Sequence, residues 1–302
     1  MLNKSQYIAS VMAPVGLSLV LGAGSAWADT AAKSADEVAK ELANPAGSLA
    51  SLNFNMQYQT FQGDLPGADS QDSSSLIFQP TMPFSVGDKG RRIIFRPAVP
   101  VLFDQPVFEA GEGEFDDLNT NLGDITFDLV YAGTEITDKA TKSGFLWGVG
   151  LAGTVPTATN NALGGDQWRF GPEVFGGIIR SWGIVGALVS NQWNLGGGDG
   201  GLGSNDQDYS ATTAQYFYAY GLGNGWQIAA SPIITYNWKA EDSDQALALP
   251  VGAGLAKTMS FGDNNWKFQG QVQYYVEQPD AFGPEWLFKF TVTPVVNNPF
   301  AR

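Results

Sequence analysis

The chain has 302 residues, with 16 Lys and Arg against 30 Asp and Glu, a net charge of -14 and no histidine or cysteine. Without histidine the usual general base, metal ligand and triad member are missing, and without cysteine no disulfide framework can hold an exported chain. So acidic a chain repels nucleic acid, and a mean hydropathy of -0.09 speaks against a bundle of membrane helices.

Residues 1–28 read as a secretory signal peptide. Lys4 supplies the positive start, Val11 to Gly24 is a short apolar run, and Ala26-Trp27-Ala28 is a cleavage site of the A-x-A type. Export across an inner membrane is the expectation. Residues 29–47 form a periplasmic segment with one short helix over Ser34 to Ala43, ended by Asn44-Pro45. Ser34 with Glu37 three positions later has the pattern of a capping box.

From there apolar and polar residues alternate with a period of two, the signature of strands with one greasy and one wet face. Leu52, Phe54, Met56 and Tyr58 begin the series. Leu76, Phe78, Met82 and Phe84 follow, then Ile93, Phe95, Val99, Val101 and Phe103, then Ile125, Phe127, Leu129 and Tyr131. Phe145, Trp147, Val149 and Leu151 face away from Gly148, Gly150, Ala152 and Thr154. Further strands are expected at 168–180, 183–194, 210–220, 226–238 and 248–259. Trp266 to Glu277 alternates without a break, and Trp286, Phe288, Phe290 and Val292 close the series. A strand of roughly 9–11 residues crosses a bilayer when tilted.

Connections alternate between short (87–90, 180–183, 221–225, 261–265) and long (62–74, 104–122, 157–166, 195–209, 239–247), with 133–143 of middling length and 278–284 short for its expected side. With an even strand number, that is the pattern of a bacterial outer-membrane barrel with short periplasmic turns and long outer loops. Trp147, Trp168, Trp226, Trp238, Trp266 and Trp286 fall near strand ends, where interfacial girdles sit. The outer loops carry much of the acid, as in Glu109, Glu112, Glu114, Asp116 and Asp117, or Asp199, Asp206 and Asp208. A secreted sandwich would share the alternation but shows shorter strands and more frequent turn signals. The expected fold is all-β, a transmembrane antiparallel β-barrel of about twelve strands over 48–302, preceded by the short helix.

Several stretches, in order and spacing, carry a family resemblance. They are Leu42-Ala43-Asn44-Pro45, Leu122-Gly123-Asp124-Ile125, Trp147-Gly148-Val149-Gly150 with Pro156-Thr157-Ala158-Thr159, Gly171-Pro172, Gly186-Ala187-Leu188-Val189 through Trp193, Tyr274-Tyr275-Val276-Glu277 and Gly283-Pro284-Glu285-Trp286. On these the chain resembles the transporter-like outer-membrane barrels associated with the meta-cleavage pathway of phenol degradation, over about Leu42 to Val296. The resemblance implies a channel or transporter, for aromatic or other small organic compounds, and brings no catalytic residues. The chain end departs from the common barrel pattern: Phe300 is followed by Ala301-Arg302 rather than closing the chain.

With the apolar faces toward lipid, the lumen set contains Arg92, Arg96, Asp124, Asp128, Arg169, Glu173, Lys239, Lys267, Glu277, Glu285 and Lys289. Arg92/Arg96 and Asp124/Asp128 are each four apart on consecutive strands, so antiparallel pairing can join opposite charges. They form either a selective constriction or a salt-bridge plug. Lumen-side apolar residues are Ile94, Leu102, Phe175, Phe217 and Ile233. Pro80 and Pro97, from two P-x-x-P runs, are expected opposite one another on the lipid face and kink the wall or loosen a lateral path. Glu277 and Glu285 flank one turn and are candidates to face each other. The run Gly196-Gly197-Gly198-Asp199-Gly200-Gly201 lacks the Lys and Ser/Thr of a phosphate loop and reads as a plain loop.

The functional expectation is passive uptake of a small organic solute, with no enzymatic activity, cofactor or metal. The alternative is a structural or interaction barrel whose acidic loops bind cations or a surface partner. Expected partners are outer-membrane lipid, lipopolysaccharide, the barrel assembly machinery and the solute.

Overall fold

The computed structural model describes residues 33–87, 89–109, 111–197, 208–262 and 264–298. The signal segment, Asp199, Asp206, most of the glycine run and Phe300 lie outside them.

Helix α1 spans Ala35–Ala43. Ser34 caps it as expected: its hydroxyl accepts from the Glu37 N–H at 3.2 Å, and the Glu37 carboxylate accepts from the Ser34 N–H at 3.2 Å. Twelve barrel strands follow. They are β1 (Ala50–Gln62), β2 (Asp72–Val86), β3 (Arg91–Phe103), β4 (Ile125–Asp138), β5 (Ser143–Val155), β6 (Gln167–Arg180) and β7 (Gly183–Gly197). Then come β8 (Ser210–Gly223), β9 in two pieces (Trp226–Ala230 and Ile233–Asn237), β10 (Leu247–Phe261), β11 (Asn264–Glu277) and β12 (Gly283–Val296). Each pairs antiparallel with its chain neighbour, and β1 closes the ring on β12 through pairs such as Phe54 with Val292. Closure removes the sheet edges that lipid could not satisfy.

Short turns, both ends of the barrel and α1 share one rim, the periplasmic one by the outer-membrane rule. The β8–β9 turn shows its chemistry. Asn224 and Gly225 both have positive φ, 51° and 78°, the two-residue hairpin geometry that Asn-Gly adopts readily. On the opposite rim, 104–122 is more ordered than a plain loop. Gln105–Glu109 and Glu114–Leu118 pair as a hairpin outside the barrel, and Leu122 pairs with Val101 of β3. Aromatic contacts tie that hairpin to the mouth: Phe108 to Phe115 at 5.1 Å, Phe115 to Phe282 at 4.7 Å and Phe282 to Phe61 at 4.6 Å.

The exterior is apolar. Val149, Leu151, Val174, Val189, Leu255, Val272, Phe288 and Phe290 are all exposed, a belt that only lipid can cover. Aromatics band both rims. Trp182 stacks on Tyr220 at 5.9 Å and Trp147 meets Tyr131 at 5.7 Å near the periplasm. Tyr236–Trp238 and Tyr274–Trp286 pair at 4.6 and 4.7 Å near the outside. This is an outer-membrane β-barrel.

Part of the interior is a true core. Ile94, Val130, Ala132, Leu146, Phe175, Ile179, Ile184 and Leu188 pack together with Ala46 of the N-terminal segment, and Ala43 and Phe217 lie against them. The small residues of β5 make the room. A Cβ on Gly148 would lie 2.2 Å from the Phe175 ring.

Candidate functional site

The remaining interior is a cavity of about 490 Å³. Its periplasmic end is formed by Glu41 to Pro45, Gly47 and Leu49. That segment is clasped at several points of the rim. Asp36 accepts from the Asn224 and Gly225 N–H groups at 3.1 and 2.6 Å, Lys40 donates to the Arg180 carbonyl, and Glu37 pairs with Lys142 at 2.8 Å. Asn44 donates to the Thr134 hydroxyl at 3.0 Å and Arg92 to the Ala46 carbonyl at 3.1 Å.

One wall of the cavity carries an ion cluster. Arg96 on β3 faces Asp128 on β4 in register, with 2.7 Å between guanidinium and carboxylate. Glu173 on β6 is 1% exposed and lies 4.0 Å from the same guanidinium. It reaches over β5 because Gly150 stands directly beside it in the ladder. The guanidinium thus pairs with Asp128 and only approaches Glu173, whose Oε1 makes no hydrogen bond.

The facing wall is polar and largely self-satisfied. Thr291 and Thr293 donate to the side chains of Asn55 and Asn53, both at 2.8 Å. Gln269 donates to the Ala229 carbonyl at 3.0 Å, and Gln271 accepts from the Ser231 N–H at 3.1 Å. Lys267 and Lys289 belong to this wall. Leu188, Phe217, Ala229, Ala230 and Ile233 supply apolar lining.

The ladder has two long lapses, beside shorter ones of two pairs at Pro172 and Pro294. The β2–β3 pairing stops after Phe78 with Val99 and resumes at Met82 with Phe95, in unchanged register. Pro80 and Pro97 lie opposite each other in that interval, and their neighbours Gln79, Thr81, Arg96 and Ala98 line the cavity, so the prolines point outward. The larger lapse falls inside an expected continuous strand. The β9–β10 pairing stops at Ile228 with Leu255 and resumes at Thr235 with Ala248. The signal was Pro232 in the expected strand 226–238, where it cannot donate to a ladder. Side chains bridge the interval. The Tyr216 and Tyr218 hydroxyls donate to the Pro250 and Gly252 carbonyls at 3.1 and 3.0 Å, and Gln269 and Gln271 reach it from the lumen.

The structure gathers only some of the candidate residues. Arg96, Asp128, Glu173, Lys267 and Lys289 line the cavity together. Arg92 holds the N-terminal segment instead of pairing with Asp124. Asp124 accepts from the N–H groups of Thr157, Ala158 and Gly165, which pins the loop after β5. Arg169 lies over the Tyr209 ring at 3.9 Å. Lys239 is not in the lumen: it pairs with Asp208 at 2.9 Å among exposed outer loops. Glu277 and Glu285 do not face each other. Tyr274 pairs with Trp286, a register that sets position 275 against Glu285, and Glu285 accepts from Thr60 at 3.4 Å. Ile94 and Phe175 are sealed in the core, Phe217 and Ile233 line the cavity, and Leu102 packs near Gly123. Among the described residues no group of three acidic side chains converges as a cation site.

No family model and no curated protein matches the chain. The fold does match solved structures. The crystal structure of an outer membrane channel from Pseudomonas putida F1 superposes over 82% of this chain and 94% of that one, with a TM-score of 0.56 at 14% identity. Two structures of outer membrane phospholipase A from Escherichia coli align over 82% and 86% of this chain at 12% identity, with TM-scores of 0.35 and 0.41, too low to carry argument. The likeness to the channel is one of fold. The chain shares the architecture of a distant outer-membrane channel, and the link to phenol degradation stays a matter of resemblance.

Proposed function

We propose that this protein is a passive outer-membrane channel for a small, partly apolar organic solute. The observation that carries this reading is the cavity: about 490 Å³, large enough for a one-ring compound, with apolar lining beside placed polar groups. A barrel serving only as a platform has no use for such a space. The fold likeness to the Pseudomonas putida channel supports the reading, and the resemblance to the meta-pathway barrels favours an aromatic solute. The solute enters from the outer mouth, moves down its gradient and leaves past the N-terminal segment or through the β9–β10 interval. No chemistry on the solute is proposed, since the chain carries no histidine or cysteine to activate a nucleophile.

Liposome swelling tests this. Vesicles holding the purified barrel are expected to swell faster than protein-free vesicles in small neutral solutes such as arabinose. Equal rates would favour the interaction barrel, whose acidic hairpin at 105–118 would then be its working surface.

A further inference from the structure

Lys267 is the anomaly of the lumen. It is 8% exposed, projects from β11 into the cavity wall, and makes no hydrogen bond or ion pair with any described residue. Lys289, half-buried on β12, is alike in this. The amides and hydroxyls around them are spent on one another, as the Asn53–Thr293 and Asn55–Thr291 bonds show. Asp128 is engaged with Arg96 and Glu41 with the Ser48 N–H and hydroxyl at 2.6 and 2.7 Å, while Glu173 is sealed beside Arg96 rather than beside either lysine. The Lys267 ammonium is not sealed in protein but opens on the cavity, where an anion can meet it.

We infer that the solute is an organic carboxylate, bound through its anion by Lys267 and Lys289 with its apolar body against Phe217, Ile233 and Leu188. This names the solute class of the channel proposed above and rests on that reading. The register fits a stepwise descent. Lys267 pairs with Thr293 and Lys289 with Gln271, so the two stand four positions apart along the wall, about 13 Å. Lys289 is nearer the outer mouth and Lys267 nearer the N-terminal segment. An anion passes from one to the other while its apolar part keeps to the apolar lining. Lysine suits this role, because a flexible point charge grips without the bidentate lock of arginine.

The test separates binding from transport. Isothermal titration of the detergent-solubilised barrel compares benzoate with benzamide, a neutral probe of the same size. Benzoate is expected to bind roughly tenfold or more tightly than benzamide, and to weaken with added salt. K267M keeps the aliphatic stem and is expected to lose that preference, as is K267M/K289M, while K267R keeps it. Folding of each variant is read from its shifted mobility on unheated gels, and if K267M does not fold, K289M decides, with a weakened preference expected. Equal binding of the two probes, or a preference unchanged in the folded Lys→Met variants, overturns the inference. The swelling assay in arabinose reports on the channel separately, so a channel that swells normally without benzoate preference sinks only the anion assignment.

Discussion

Arg96 and Asp128 stand directly opposite each other on β3 and β4, their charged groups 2.7 Å apart. The pair lies on the cavity wall and takes in the sealed Glu173. It is both a strut across three strands and part of the surface a solute passes.

Removing the cation should therefore hurt more than removing the whole cluster. R96M leaves two carboxylates facing each other without a partner and is expected to cost about 3–5 kcal/mol, the range for a broken buried pair. The triple variant R96M/D128N/E173Q should recover most of that. Urea unfolding in lipid vesicles, followed by tryptophan emission, reads both. A triple variant no more stable than R96M would show that the cluster does not act as a unit.

The β9–β10 interval should be the softest part of the wall. Amides of 229–234 and 249–254 that face the interval are expected to exchange faster than those of segments paired on both sides such as 266–274, because there side chains replace the β9–β10 ladder while the ladders to β8 and β11 persist. Gln271→Ala removes the acceptor of the Ser231 N–H. It should speed exchange of that amide roughly fivefold, the equivalent of about 1 kcal/mol. Uniform protection around the barrel would refute a weak seam and remove the lateral exit from the transport reading.

Gly148 is small for a packing reason. Gly148→Ala drives a methyl into the Phe175 ring and is expected to cost about 1–3 kcal/mol by overpacking. Pairing it with Phe175→Leu should relieve most of the loss. A double-mutant cycle by urea unfolding measures the coupling, and additive effects would mean that the ring simply swings aside.

The clasp between α1 and the β4–β5 turn should open only in strong acid. The Lys142 ammonium, through its hydrogen bond to Glu37, and the Ser34 N–H hold the Glu37 carboxyl down from 4.5 to about 2. A depressed carboxyl contributes fully above its unfolded value and loses that contribution as pH falls through the folded one. The contact is exposed, so added salt weakens it. A spin label at Lys33→Cys is clean in a chain without cysteine. It should be immobile from pH 7 to about 4 and gain mobility toward pH 2, while K142M should be mobile already at pH 7. A pH-independent spectrum in both proteins would show that the other clasps alone hold the helix.

Much of the fold was legible in the order of residues. The alternation along Trp266–Glu277 and its recurrence predict about twelve strands, and twelve form, the one at 226–238 in two pieces. Ser34 and Glu37 predict the capped helix. The candidate site was legible in part. Parity alone puts Arg96, Asp128, Glu173, Lys267 and Lys289 on the lumen side. It could not tell them from Arg92, Asp124 or Lys239, which share charge and spacing but sit at a rim, in a loop turn or among outer loops.

Sequence by itself determined the face on which each strand residue lies, because a period of two is written into the backbone. Tertiary structure alone decided which lumen charges meet. Arg96 reaches Asp128 because register, a property of two strands, sets them opposite. Glu173 joins them because Gly150 leaves space on the strand between. Lys267 stays without a partner because register sets it between Thr258 and Thr293, neither of which carries a charge. A charge spaced along one strand carries no information about its neighbours around the barrel, and that circumferential order is where the solute would be recognised.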